Sequence, residues 1–192
     1  QYFADILLTY GDYWNSVMQV PAQTVTIGYP YLSKMAEKAQ RTITVNPNQI
    51  LILSQSTIAS KAVELAAKVA AAFPRHKIVF KLHPGEDISG SQYKPLYSKP
   101  SIEVVGYADV YPLVAQSTIV VGYGTTVVAE AVIFPDKRIF CGEPDVVPRG
   151  IGGYFTNPDD LIEQIRNPQS GLSTIRSEEL WEPAWRERLD AF

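Results

Sequence analysis

Residues 49–142 carry five short apolar runs, QILILS (49–54), KIVFKL (77–82), IEVVG (102–106), TIVVG (118–122) and KRIFCG (137–142), each parted from the next by a helical or loop-like stretch. No other feature constrains the fold as strongly. A continuous apolar run of four to eight residues fits a strand buried on both faces, as in a parallel sheet. Between the first two runs, Ile58, Ala62, Leu65, Ala66, Val69, Ala70 and Phe73 recur at helical spacing, while Lys61, Glu64 and Lys68 face the other way. This predicts a helix over 57–73, capped by Ser56 or Thr57 and stopped at Pro74. Further helices are expected over 109–116, with Pro112 in the first turn, over 125–134 despite its β-branched content, and from Asn157–Pro158 to Ile165. Repeated strand–helix–strand units with right-handed crossovers imply an α/β, doubly wound, Rossmann-like parallel sheet.

The flanks read differently. Residues 1–45 hold two more strand-like runs, ADILLTYGDYW and TVTIGYPYL, followed by a polar link over 33–42. The α/β domain is expected over 46–170. Residues 171–192 form a tail expected to be helical from Ser177 to Leu189, with Trp181, Trp185 and Leu189 on one stripe. That stripe packs either on this domain or on a partner domain outside the chain. Residue 1 is Gln, so the chain reads as an excised or processed piece.

Composition narrows the function classes. The 192 residues are 46% apolar and 19% charged, which is ordinary for a globular chain, and the net charge of −3 comes without a basic block. A nucleic-acid-binding surface is therefore not expected. The single cysteine, Cys141, excludes an intrachain disulfide and suits a reducing, cytoplasmic setting. No apolar run is long enough to cross a bilayer, and no signal peptide is visible.

Doubly wound sheets bind ligands beyond the carboxyl ends of their strands. Two motifs fall there. In KIVFKLHPGE the strand ends at His83, which Pro84 biases towards an extended geometry. His83 is a candidate donor to an anionic group, and Lys81 points to the same side two residues earlier. Glu86 either orients His83, bonds a sugar hydroxyl, or is a solvated turn acid. In VVGYGTTVVAEA (120–131) a strand turns through Gly124 into a helix with Thr125 and Thr126 at its mouth, an arrangement suited to a phosphate. Glu130, among apolar residues, needs a partner: either a ribose diol or a structural cation. The loop SQST (54–57), with Gln55, Ser56 and Thr57, follows the first strand and either lines the cleft or caps the helix. Tyr107 and Asp109 follow the third strand, where a nucleobase would sit. The dinucleotide fingerprint is incomplete, because Val127 replaces its third glycine, and NAD is not expected. No Walker A motif, zinc spacing or nucleophile elbow is present. Cys141 reads as a buried small apolar residue.

KLHPGE, VVGYGTTVVAEA and KRIFCGE together resemble the C-terminal, donor-binding half of GT-B glycosyltransferases. The likeness spans about residues 48–166 and is nearest to bacterial capsule, polysialyltransferase and CDP-glycerol glycerophosphotransferase proteins. The resemblance implies a nucleotide-sugar donor, with a CMP-sugar or CDP-polyol favoured, used in capsular or surface polysaccharide synthesis. It implies that His83 contacts the donor phosphate and stabilises the leaving group, that Thr125 and Thr126 sit on the phosphate, that Glu130 takes ribose hydroxyls, and that Tyr107 and Asp109 face the base. It implies no required cofactor or metal. The acceptor site and the general base would belong to an N-terminal acceptor domain outside this chain, which alone would be inactive, and the glycan acceptor would bind there. The whole protein would be cytoplasmic, with peripheral association at the inner face of the membrane. The alternatives are a sugar-nucleotide 2-epimerase-like domain, which shares the fold, and a non-catalytic nucleotide-binding domain.

Overall fold

The computed structural model describes residues 4–142 and 147–192. Its centre is a six-stranded parallel sheet built from β3 (Asn46–Leu53), β4 (Lys77–Lys81), β5 (Ile102–Val105), β6 (Ser117–Gly122), β7 (Arg138–Cys141) and β8 (Gly153–Tyr154), in the spatial order β5-β4-β3-β6-β7-β8. Strand order reverses between β3 and β6, so the sheet has a topological switch point where loops leave in opposite directions and open a crevice. The five sequence-predicted strands lie within a few residues of their expected ends. In register, Val105, Lys81, Leu53, Gly122 and Cys141 form one row across the carboxyl ends.

Each strand is apolar on both sides because each face is covered. Ile50, Ile52, Ile78, Phe80, Ile119 and Val121 pack under α3 (Ala59–Ala72) and α7 (Pro158–Arg166). Leu51, Leu53, Val79, Val120 and Ile139 pack under α2 (Pro30–Thr42), α5 (Val110–Gln116) and α6 (Thr126–Glu130). α3 buries Ala62, Leu65, Ala66, Val69 and Ala70 of the stripe read from the sequence, with Val63 added, while Ile58 and Phe73 fall at its two cap positions, half-buried. Neither Ser56 nor Thr57 caps it: both lie in a 3-10 turn over Ser56–Ile58, and the N-cap position falls on Ile58. α6 holds only five residues before tightening into a 3-10 turn over Ala131–Ile133, so the helix expected over 125–134 is α-helical in its first half alone. Asp109 and Asn157 cap α5 and α7 through their side chains.

Two corrections concern the flanks. Residues 33–42 are not a polar link. They belong to α2, which lays Leu32, Ala36 and Ala39 on the sheet at helical spacing. The tail is not one helix either. It divides into α8 (Ser177–Leu180) and α9 (Trp185–Asp190), because Pro183 between them lacks the N–H that would continue the ladder. The stripe of Trp181, Trp185 and Leu189 therefore never forms. Trp181 is buried, Trp185 half-buried and Leu189 exposed.

Trp181 ties the flanks to the body. Its indole lies 5.6–6.0 Å, centroid to centroid, from Trp14, Tyr10 and Tyr29, and its Nε1–H donates to Ala129 O at 3.1 Å. The rings come from α1 (Asp12–Val17) and from segments flanking β1 (Ile6–Thr9) and β2 (Gln23–Thr26), which pair as a separate two-stranded parallel sheet. Gly28 is left-handed (φ 87°), and a Cβ there would meet Glu182 O at 2.5 Å, so the tail can cross only over a glycine.

One buried cation lies at the opposite end of the sheet from the crevice. Lys137, just before β7, is 7% exposed, and its Nζ donates to Ala115 O in the last turn of α5 at 2.8 Å. Burial pushes its pKa down to about 8, partly opposed by Asp136.

Trp181→Ala should destabilise the chain by about 3–5 kcal/mol, read from urea unfolding. Lys137 sets a pH dependence of known sign. Between about 8 and the ordinary lysine value of 10.5 the unfolded chain holds a proton that the folded chain has lost, so stability should rise with pH across that window. The rise should total about 3 kcal/mol, and Lys137→Met should flatten it in unfolding curves taken from pH 7 to 11.

Candidate functional site

At the switch point the ends of β3, β4 and β6 enclose a cavity of about 240 Å³. Its polar wall is Ser54, Lys81, His83, Thr125 and Thr126, and its apolar wall includes Leu53, Ala108, Val110 and Val127. No carboxylate lines it among the described residues.

Lys81 dominates its electrostatics. The side chain is 5% exposed and Nζ donates to Leu82 O at 2.6 Å, leaving two N–H donors beyond that single carbonyl. Among the described residues it forms no ion pair. Burial lowers its pKa, and the nearby Glu86 charge opposes that shift. A buried ammonium without a counter-ion is costly, and an anion in the cavity would relieve the cost. The row position explains how it fits: Gly122, two strands away, has no Cβ, and one added there would meet Thr125 Cγ2 and Val128 Cγ1 at 2.9 Å. Strand β6 and helix α6 thus approach closely, and the threonines sit against the sheet.

His83 is exposed, and its ring is set by its own turn. Nδ1 accepts the Gly85 N–H at 3.1 Å. With Nδ1 engaged as an acceptor, Nε2–H is the ring's outward donor.

Glu86 holds this turn in place. Oε2 accepts the His83 backbone N–H at 2.6 Å, while Oε1 accepts Ser54 Oγ–H at 2.9 Å and Tyr93 O–H at 2.7 Å. Three donors from three segments meet one carboxylate. Of the alternatives left by the sequence, orientation of His83 is the one the geometry displays, through its backbone and not its ring. Tyr93 is fully buried, and both its burial and the Glu86 bond raise its pKa.

At the start of α6, Thr125 occupies the N-cap position but makes no side-chain capping bond, which leaves its hydroxyl for the cavity. The first-turn N–H groups of Thr126 and Val127 have no intrahelical acceptors. Gly124 is left-handed (φ 41°), as the turn into the helix requires. With only five residues, the helix adds little dipole, and Lys81 is the lysine on the cavity wall.

The remaining sequence candidates lie elsewhere. Gln55, Ser56 and Thr57 do not line the cavity, and the residue of that loop that does is Ser54. Tyr107 is fully exposed, and Asp109 spends its carboxylate on the Tyr111 N–H at 3.1 Å. Glu130 is 8% exposed and sits behind the cavity, where Tyr111 O–H donates to its Oε2 at 3.0 Å. Burial raises its pKa, with the Tyr111 and Thr126 hydroxyls opposing the shift. Its structural partner is thus a phenol and a hydroxyl, not a cation. Cys141 is buried at the end of β7. His76 precedes β4, away from the crevice. Glu143, the last residue of KRIFCGE, lies outside the described residues. Among those described, no three metal-ligating side chains cluster, and no helix is long and apolar enough to cross a membrane.

Sequence reading named the 54–57 loop, of which Ser54 alone lines the cavity, and missed Ala108, Val110 and Val127. Ala108 and Val110 had no sequence signal, because their loop position depends on how β5 pairs.

No protein-family model matches the chain, and no curated protein matches its sequence. Solved structures do. A putative UDP-N-acetylglucosamine 2-epimerase from Listeria monocytogenes superposes with a TM-score of 0.63 at 11% identity, over 92% of this chain and 54% of that one. UDP-GlcNAc 2-epimerase from Neisseria meningitidis bound to UDP-GlcNAc gives 0.60 at 16% identity, over 90% and 56%. The wall teichoic acid polymerase TagF with CDPG gives 0.54 at 15%, over 97% and 50%. The fold is GT-B-like. The chain spans about half the length of each of these structures.

Glu86→Ala would strand the buried Tyr93 hydroxyl and free the His83 turn. It should cost about 1–3 kcal/mol of stability in urea unfolding.

Proposed function

We propose that this chain is the donor-binding half of a GT-B enzyme and that the crevice at the switch point holds the phosphate of a nucleotide-activated sugar or polyol. The observation that carries the reading is Lys81, a nearly fully buried ammonium on the wall of a cavity that contains no described carboxylate. Lys81 would neutralise the phosphate. His83 Nε2–H, the Thr125 hydroxyl and the first-turn N–H groups of α6 would complete its hydrogen bonds. The same donors would stabilise the nucleotide as negative charge develops on it during transfer, without reorganising. The acceptor site and the general base would come from the other half of the full-length protein.

Within this reading the donor is a CMP-sugar or CDP-polyol and the reaction is a transfer that builds a bacterial surface or capsular polysaccharide at the cytoplasmic side of the membrane. The likeness to TagF, whose structure carries CDPG, supports that choice. The likeness to the two epimerase structures is equally consistent with the 2-epimerase reading. Both require a phosphate in the same crevice and differ in the base and in the fate of the sugar.

Thermal unfolding against CMP, CDP, UDP, CDP-glycerol and UDP-GlcNAc tests the proposal. A nucleotide at about 100 times its Kd should add about 2.7 kcal/mol, a rise of roughly 5–11 °C for a chain of this size. Lys81→Met should leave the fold at least as stable while weakening binding by about 2–5 kcal/mol, at least about thirtyfold in Kd. His83→Ala should weaken it about tenfold or more. A cytidine-only response supports the transferase, and a uridine preference supports the epimerase. Unchanged binding in Lys81→Met overturns the assignment of the crevice.

A further inference from the structure

A second cavity, of about 360 Å³, opens at the amino ends of β6 and β7, the end of the sheet opposite the crevice. Its walls are apolar where Ile43, Val45, Ala115, Phe134 and Pro135 meet, and Lys137 forms part of them. It falls within the size range of small-molecule sites, which are typically apolar with a few placed polar groups. The proposed donor chemistry uses none of it.

We infer that this cavity is a second ligand site, one that takes a small monoanion with an apolar body, namely a medium-chain or aromatic carboxylic acid whose carboxylate pairs with Lys137.

Three observations select that class. First, the ammonium belongs to the cavity wall: Nζ donates to Ala115 O at 2.8 Å, and Lys137 and Ala115 both line the cavity, so one donor is used and two are left. Second, the site has an unmet charge. Among the described residues Lys137 forms no ion pair. Asp136, the other titratable group on the wall, is exposed, and its attraction does not cancel the effect of burial, which still lowers the Lys137 pKa to about 8. Third, the walls offer apolar area and few further donors. A phosphate, with two charges and several acceptors, would be poorly hydrogen-bonded here, while one carboxylate on an apolar chain would satisfy both the amine and the walls.

The α5 end gives the lysine a structural part as well, since Ala115 O is one of the helix's orphan carbonyls. Helix capping alone would be met equally well by a lysine reaching in from solvent. The burial of the whole side chain beside an open apolar cavity is what the ligand accounts for.

The experiment uses the 192-residue chain with octanoate, 1-octanol and inorganic phosphate, read by calorimetric titration and thermal unfolding. Two variants accompany it. Lys137→Met keeps the side-chain volume and removes the charge, and Val45→Trp fills the cavity from a residue on its exposed rim. Octanoate should bind the parent chain at least about tenfold more tightly than octanol, and phosphate should not bind at this site. In Lys137→Met that preference should vanish, and in Val45→Trp octanoate binding should be lost while the response to nucleotides is unchanged. Far-ultraviolet circular dichroism confirms that each variant is folded, and Val45→Trp serves alone if Lys137→Met is not. The inference is overturned if octanoate fails to bind at millimolar concentration, if it binds Lys137→Met as tightly as the parent, or if Val45→Trp leaves it unaffected. None of these outcomes depends on the nucleotide crevice.

Discussion

The sheet buries Leu51, Leu53, Val79 and Val120 on one face and Ile50, Ile52, Ile78 and Phe80 on the other, and the rest of the structure depends on that double burial. A parallel strand with two apolar faces is stable only if helices lie on both. Covering one face takes α3 and α7, and covering the other takes α2, α5 and α6. Once each crossover is right-handed, the loops after β3 and β6 must part in opposite directions. The crevice is the gap they leave, so the candidate site is a consequence of how the core is covered.

The site's chemistry follows from a break in that apolar pattern. Lys81 occupies a position in the row where Val105 and Leu53 are its neighbours, and it carries a charge into a place built for hydrocarbon. Such a residue costs stability unless something compensates. In the protein alone the compensation is partial: one carbonyl and the field of Glu86. Glu86 has a second task, gathering Ser54, Tyr93 and the His83 N–H, so the loop that presents His83 and the charge that supports Lys81 depend on the same carboxylate. Lys137 repeats the pattern at the other end of the sheet, with one carbonyl acceptor and the nearby Asp136 charge.

Local features were legible wherever one short stretch contained its own cause. The apolar runs gave strands because nothing but double burial tolerates them. Asn157 stood where a cap stands, ahead of Pro158 at the first helical position. Legibility failed where a distant segment decided. Residues 33–42 look polar, yet Leu32, Ala36 and Ala39 make a stripe once the sheet is there to receive it. The tail looks like one amphipathic helix until the aromatic cluster claims Trp181 and Pro183 breaks the ladder. Glu130 looked available for a ligand because Tyr111, nineteen residues earlier in the chain, could not be seen to reach it.

By itself, then, the sequence determined the strand–helix alternation, the parallel sheet, and the two segments at its carboxyl ends that could face a ligand. These rest on periodicity and on turn residues, which act over a few positions along the chain. The tertiary structure alone decided which side chains share a cavity. It placed Ser54 there and not Gln55, it turned the Glu86 carboxylate inward, and it closed the wall around Lys81 while leaving Tyr107 in solvent. Those outcomes depend on strand register and on helix packing across the sheet, which join residues tens of positions apart.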